Sequence, residues 1–213
     1  MKNRFFFFIL QPLVFLLFIG CDTSINKTIH VADGEKRSGD MNSVNGSIII
    51  GNDCEVRGDS RSVNGRIEVG RNSTVGDLQS VNGDITIDDG SHVEHDVQSV
   101  NGGVRCRSGV KIEGRLSTIN GEIDLSGTEV KRDLKTINGD ITLAAKTIVR
   151  GDVIIEDRKG SSRDHHRLEI RISGESIVEG NVIVEDEDVE VQVILSGGGK
   201  VMGEVKNAEV INR

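Results

Sequence analysis

The stretch SVNGDITIDDG, residues 80–90, decides how the rest of the chain is read. Its first four residues recur at Ser43–Gly46, Ser62–Gly65 and Ser99–Gly102, and Thr-Ile-Asn-Gly follows at Thr118–Gly121 and Thr136–Gly139. The asparagines stand at 45, 64, 82, 101, 120 and 138, so the spacings are 19, 18, 19, 19 and 18 residues. A second motif keeps the same beat. It reads VRGDS from Val56, VGDL from Val75, VEHDV from Val93, IEGRL from Ile112, VKRDL from Val130 and VRGDV from Val149. Two further copies, VEGNV from Val178 and VMGEV from Val201, have no Asn-Gly partner. A fixed period of this length is the mark of a solenoid.

Inside each repeat the aliphatic residues alternate. Ile48/Ile50, Ile67/Val69, Ile85/Ile87, Val104/Cys106, Ile123/Leu125 and Ile141/Leu143 each have period two and are mostly β-branched, as in strands with one buried face. No stretch has a helical period. Asn-Gly between strands is usually a hairpin turn. Here, however, every repeat carries two unlike corners, which suits a coil returning to the same corner better than a meander. The inward positions taken from residues 80–97 are Val81, Ile85, Ile87, Val93 and Val97, spaced 4, 2, 6 and 4, without the strict six-residue sub-period of a left-handed coil. Crossovers between parallel strands are right-handed as a rule. The expected fold is therefore all-β: a single-stranded, right-handed parallel β-helix of about eight coils, 18–19 residues each. At about 4.8 Å per coil the rod would be roughly 35–40 Å long. At the corner, Asn and Gly are expected to supply the left-handed backbone of a sharp turn between Val81 and Ile85. The amides of Asn45, Asn64, Asn82, Asn101, Asn120 and Asn138 are expected to bond from coil to coil, with the Ser/Thr hydroxyls forming an adjacent row.

The chain divides unevenly. Lys2 and Arg4 precede an apolar run from Phe5 that is broken only by Gln11 and Pro12 and ends in Phe18-Ile19-Gly20-Cys21. Residues 1–20 thus read as a secretory signal peptide. Residues 21–40 show no strand pattern and read as a tether. Residues 41–213 form the β-helix, within which 157–167 (DRKGSSRDHHR) are a charged insertion and 168–213 are divergent C-terminal coils with a partial cap.

Composition narrows the function. All six Phe and the single Pro lie in the first twenty residues, so the remainder has no aromatic Phe, Tyr or Trp. Without Lys2 and Arg4, 24 basic residues face 34 acidic ones, a balance of −10. Such a chain lacks the basic groove and stacking platforms of nucleic-acid binders, and nucleic acid is not expected as a partner. The missing aromatics also speak against a polysaccharide-acting β-helix enzyme.

Candidate chemistry is sparse. Cys54 and Cys106 lie three coils apart, about 14 Å, too far for a disulfide, and read as structural thiols. His92 and His95 with Asp96, and His165 and His166 with Asp164, lack a zinc spacing with enough ligands. Arg57–Asp59 and Arg150–Asp152 spell Arg-Gly-Asp, but in register they are only the second corner. Asp59, Asp77, Asp96, Asp133 and Asp152 are expected to form a column interrupted by Arg115, read as a solubilising rim, with a divalent cation as the sharper alternative. Glu185-Asp186-Glu187-Asp188 reads as a solvated turn. There is no P-loop, dinucleotide fingerprint or catalytic triad motif. No catalytic residue, metal ligand or cofactor is expected, and the chain is read as no enzyme.

Two resemblances add to this. The Ile-Gly-Cys ending resembles the lipobox of bacterial lipoproteins, with Phe18 where Leu is usual. It implies lipidation at Cys21, a membrane partner through the N-terminal lipid, and export to a bacterial membrane: the periplasmic face of the inner or outer membrane, or the cell surface. The repeats over roughly residues 41–213 resemble the polymer-forming cytoskeletal, bactofilin-like proteins and related exported, adhesin-like β-helical proteins. That resemblance implies cofactor-free right-handed β-helices, some polymerising end to end and some scaffolding cell-wall enzymes. The lipoprotein signal and the lack of tails around the core depart from cytoplasmic filament formers. The functional expectation is a lipid-anchored β-helical scaffold or interaction protein of the envelope. The alternative is an adhesin or self-associating surface protein that assembles by coil-end stacking.

Overall fold

The computed structural model describes residues 23–157, 167–186 and 188–213. The expected signal peptide (residues 1–20), the expected lipidation site Cys21 and most of the 157–167 insertion lie outside the described residues.

The chain winds as a right-handed parallel β-helix of about nine turns with three parallel sheets. One coil shows the plan. Leu78–Ser80 lies in the first sheet, the Asn-Gly corner follows, Ile85–Ile87 lies in the second sheet, and after a turn at Asp89-Gly90 His92–Val93 lies in the third. The corner holding Asp96 returns the chain to Val97–Ser99, which pairs with Leu78–Ser80 in parallel register. Among the described residues the first two sheets have ten strands each and the third has nine. Ten strands at about 4.8 Å span roughly 43 Å.

In-register stacking places like on like. Ile67, Ile85, Val104, Ile123 and Ile141 are successive partners in the second sheet, and Val75, Val93, Ile112 and Val130 in the third. These columns fill a single continuous core running the length of the rod. Because each strand is only two to six residues long, no coil could bury its aliphatics alone; burial comes from the coils above and below.

Several sequence expectations are corrected. The tether is one: Ile29–Val31 pairs with Ile48–Ile50, and Lys36–Arg37 with Glu55–Val56, so residues 23–37 already form a coil. Its apolar content is thin because among the described residues it is covered on one side only. Asn26, 19 residues before Asn45, kept the beat. The coil count rises accordingly from eight to about nine. A partial C-terminal cap is not seen among the described residues either. Glu209–Asn212 is itself the last strand of the second sheet, bonded on one side to Glu190–Leu195.

The inward set also changes. Val81 is only half-buried, whereas Ser80 is 4% exposed and points inward. Ser43, Ser62, Ser99, Thr118 and Thr136 behave likewise. Each hydroxyl accepts the N–H of the glycine three residues on, at 3.0–3.2 Å, which is how a polar group is tolerated there. Ile155 and Val184 take this position in the two following coils, which carry no Asn-Gly.

The reason for glycine differs from the expected one. None of the Asn-Gly glycines or their asparagines has positive φ. Instead, a Cβ on Gly65, Gly83, Gly102 or Gly121 would lie 2.0–2.2 Å from the carbonyl oxygen of the glycine one coil below. Lys27 occupies the corresponding place in the first coil, where among the described residues no coil lies beneath. In the Asn-Gly coils left-handed residues stand at the other turn, as at Asp53 (φ 56°), Asn72 (54°), Gly90 (72°) and Gly109 (76°), whereas in the first and last coils Asn26 and Asn207 (59° each) are left-handed at the first corner. Accordingly, Gly83→Ala is expected to lower unfolding free energy by about 3 kcal/mol, since backbone must move aside. Gly109→Asn, at a position where the column already accepts Asp and Asn, should cost no more than about 1 kcal/mol. Urea unfolding of the two variants checks the contrast.

Candidate functional site: the stacked corners

The asparagine row forms as anticipated and is one member longer. The Nδ2 of Asn45 donates to Asn26 Oδ1 at 2.5 Å. Asn64 donates to Asn45, Asn82 to Asn64 and Asn101 to Asn82 at 2.7 Å each, then Asn120 to Asn101 and Asn138 to Asn120 at 2.8 Å. Every amide from Asn45 to Asn120 therefore gives one bond downward and accepts one from above. The hydroxyl row works differently from a simple ladder. Ser62 and Thr118 accept from their own glycine and donate to the glycine carbonyl of the coil below, at 3.2 Å each.

The turn between the second and third sheets holds another polar column. Ser73 Oγ accepts the N–H of Cys54 and donates to Gly51 O, and Ser91, Thr147 and Ser176 repeat the acceptor role one or more coils on. Cys54 belongs to this column; its thiol donates to Ala32 O at 3.0 Å. Cys106 lies in the core, and burial raises its thiol pKa far above the ordinary range, leaving it an inert apolar group. Both thiols are free, as their register implied.

The acidic corner answers the question its column raised. Asp40, Asp77, Asp96 and Asp133 each accept the backbone N–H of the equivalent residue one coil on, at 2.8–3.1 Å. Asp152 does the same for Asn181, and Asn181 for Glu204. The carboxylates are thus coil-to-coil acceptors. Two arginines supplement them: Arg61 pairs with Asp59 and sits 3.7 Å from Asp40, while Arg115, which breaks the column, pairs with Asp96 at 3.3 Å. Burial raises the pKa of Asp77, and the Asp59 and Asp96 charges push the same way against the Asp96 N–H and His95.

The remaining candidates are not brought together. His92 Nε2 lies 3.7 Å from Glu113, whose carboxyl pKa is lowered first by its 2.6 Å bond to Lys131. Among the described residues no three His, Cys, Asp or Glu side chains are grouped to hold a metal ion. His165, His166 and Asp164 lie outside them. The two Arg-Gly-Asp arginines are engaged, Arg57 with Glu55 and Arg150 with Glu129 and Glu179. In the acidic turn, Asp186 Oδ1 accepts the Asp188 N–H, an internal turn bond. A shallow groove forms where Gly103 replaces the larger residues of its column, between Asp84 and Glu122. Three of its four charged side chains are engaged: Asp84 accepts the Gly103 N–H and Arg105 faces Asp124.

No family of known sequences, no curated protein and no solved structure matches this chain.

Two substitutions test the corners. Asn82→Ala removes two amide bonds from an exposed row and should cost about 1–2 kcal/mol in urea unfolding. Asp77→Asn keeps an acceptor for Asp96 N–H, as Asn181 does natively, and should stabilise the rod at neutral pH. The sign follows from linkage. A carboxyl with a raised folded-state pKa stabilises fully below its unfolded pKa and loses that contribution as pH rises through the folded value. The gain from Asp77→Asn should therefore grow with pH across that interval and then level off, read as the difference between variant and parent stability.

Proposed function

We propose that the chain is a non-catalytic, lipid-anchored β-helical scaffold or interaction protein of the bacterial cell envelope, with resemblance to bactofilin-like proteins. One observation carries this reading: the side chains that could do chemistry at the corners are engaged in coil-to-coil bonds. Asparagine amides, corner hydroxyls and corner carboxylates all have structural partners. What remains outward is a long rod surface with columns of repeated groups. The β-helix is compatible with a scaffold or adhesin-like role, and neither role requires a cofactor or turnover.

Position along the chain supports the anchor. The first strand, Thr23–Ser24, begins two residues after Cys21. Acyl chains on Cys21 would hold the base of the rod against a membrane with almost no slack, so the anchored coil would share the orientation of the lipid. Cell-wall material or an envelope protein would then be met along the rod.

End-to-end self-association is the second reading, favoured by the last coil. Val201, Val205 and Ala208 are only partly buried there, Val210 is 43% exposed, and among the described residues the three end strands each pair on one side only. A second copy stacked on this face would satisfy both the apolar groups and the strand edges.

The expected outcome for Cys21→Ser is loss of lipid incorporation and release from the membrane fraction, with unchanged circular dichroism. Retention of lipid and membrane by the variant would refute the anchor. Sedimentation of the lipid-free chain separates the readings: a monomeric rod at high concentration counts against end stacking. Reproducible cleavage of glycans by the purified chain would overturn the non-catalytic assignment.

A further inference from the structure

The Asn-Gly corner carries a latent reaction. In a free chain the glycine backbone nitrogen can attack the preceding asparagine Cγ, because glycine has no Cβ to obstruct the approach and its backbone turns freely. The N–Cγ bond forms, the Cγ–Nδ2 bond breaks, and ammonia leaves with the proton lost from the glycine N–H. Water then opens the succinimide at either carbonyl, giving aspartate or isoaspartate. Six such dipeptides stand in one column of this rod.

Two contacts oppose the reaction. The attacking nitrogen is held by its N–H bond to the corner hydroxyl, from Gly46 N–H to Ser43 through Gly139 N–H to Thr136. The asparagine amide is also clamped, giving a bond to the amide below and accepting one from above. Five asparagines have both clamps. Asn138 has one. Its Nδ2 donates to Asn120 at 2.8 Å, but its Oδ1 is buried with no hydrogen-bond partner among the described residues. The next coil supplies no asparagine, and Ile155 stands where the hydroxyl would be. Turning the Asn138 side chain toward Gly139 thus breaks one hydrogen bond instead of two, and starts from an unpaired buried carbonyl.

We infer that Asn138–Gly139 is a modification site of the folded rod, where spontaneous conversion to aspartate or isoaspartate concentrates. The product carboxylate accepts hydrogen bonds but cannot donate, so it faces Asn120 Oδ1 without a bond and cuts the row at its end. It also adds a negative charge where the regular corner stops.

Asn120 is the internal control, because it sits in the same Thr-Ile-Asn-Gly tetrapeptide with both clamps in place. The lipid-free chain, folded or held in urea, is incubated at mildly alkaline pH and mapped by peptide mass spectrometry with isoaspartate detection. In the folded chain, product at Asn138 should accumulate about five- to tenfold faster than at Asn120, the factor for one hydrogen bond of about 1 kcal/mol or slightly more. In urea the two rates should converge. Thr136→Val, which frees the Gly139 N–H, should raise the Asn138 rate again, and Thr136→Ser should not. Equal rates in the folded chain, another asparagine leading, or a preference that persists in urea would each overturn the inference.

Discussion

Successive coils lie only about 4.8 Å apart, and nearly every other feature of this rod follows from that distance. At the Asn-Gly corner it brings one glycine carbonyl so close to the next glycine that a Cβ would sit 2.2 Å from Gly65 O. Side chains are therefore excluded from that column. The same distance suits a primary amide, whose donor and acceptor reach neighbours above and below at 2.7–2.8 Å. One corner thus needs glycine for its absence of bulk and asparagine for its two-sided hydrogen bonding, side by side.

Hydrogen bonding along the axis is not confined to the three sheets. Corner hydroxyls tie the glycine N–H to the coil below, and aspartates reach the N–H of the coil above. The turns, where sheet pairing lapses, are stitched by side chains instead of being left to water. Carboxylates stacked at this spacing repel. The rod moderates that with Arg61, with Arg115 in place of an acid and with Asn181 later in the column, while Asp77 remains among like charges. A structural use of these groups also explains why a chain rich in acids and amides has no grouped set of metal ligands among its described residues.

The ends differ from the middle for the same reason. A coil in the interior has both faces covered; the first and last described coils have one. Lys27 is accepted where glycine is otherwise required, and the last coil leaves Val210 exposed. The asparagine row also stops within the rod, at Asn138, because the following two coils carry longer corner segments. There the row's last acceptor has no partner among the described residues.

Repetition at 18–19 residues, with period-two aliphatics and a recurring turn tetrapeptide, determined the solenoid, the parallel coil and the amide row by itself, because stacking converts sequence period directly into spatial neighbours. That Cys54 and Cys106 stay unpaired was legible for the same reason. The first coil was missed because its apolar signal, Ile29 and Val31, is too sparse to stand out, although Asn26 was in phase. Only the tertiary structure decided that Ser80 and not Val81 faces inward. Alternation counted from the apolar residues favours the valine, and the serine earns its place through a glycine N–H that is visible only once the corner is built. The role of glycine was likewise decided in three dimensions: its clash partner lies a whole coil away, whereas a sequence shows only the local conformations glycine permits.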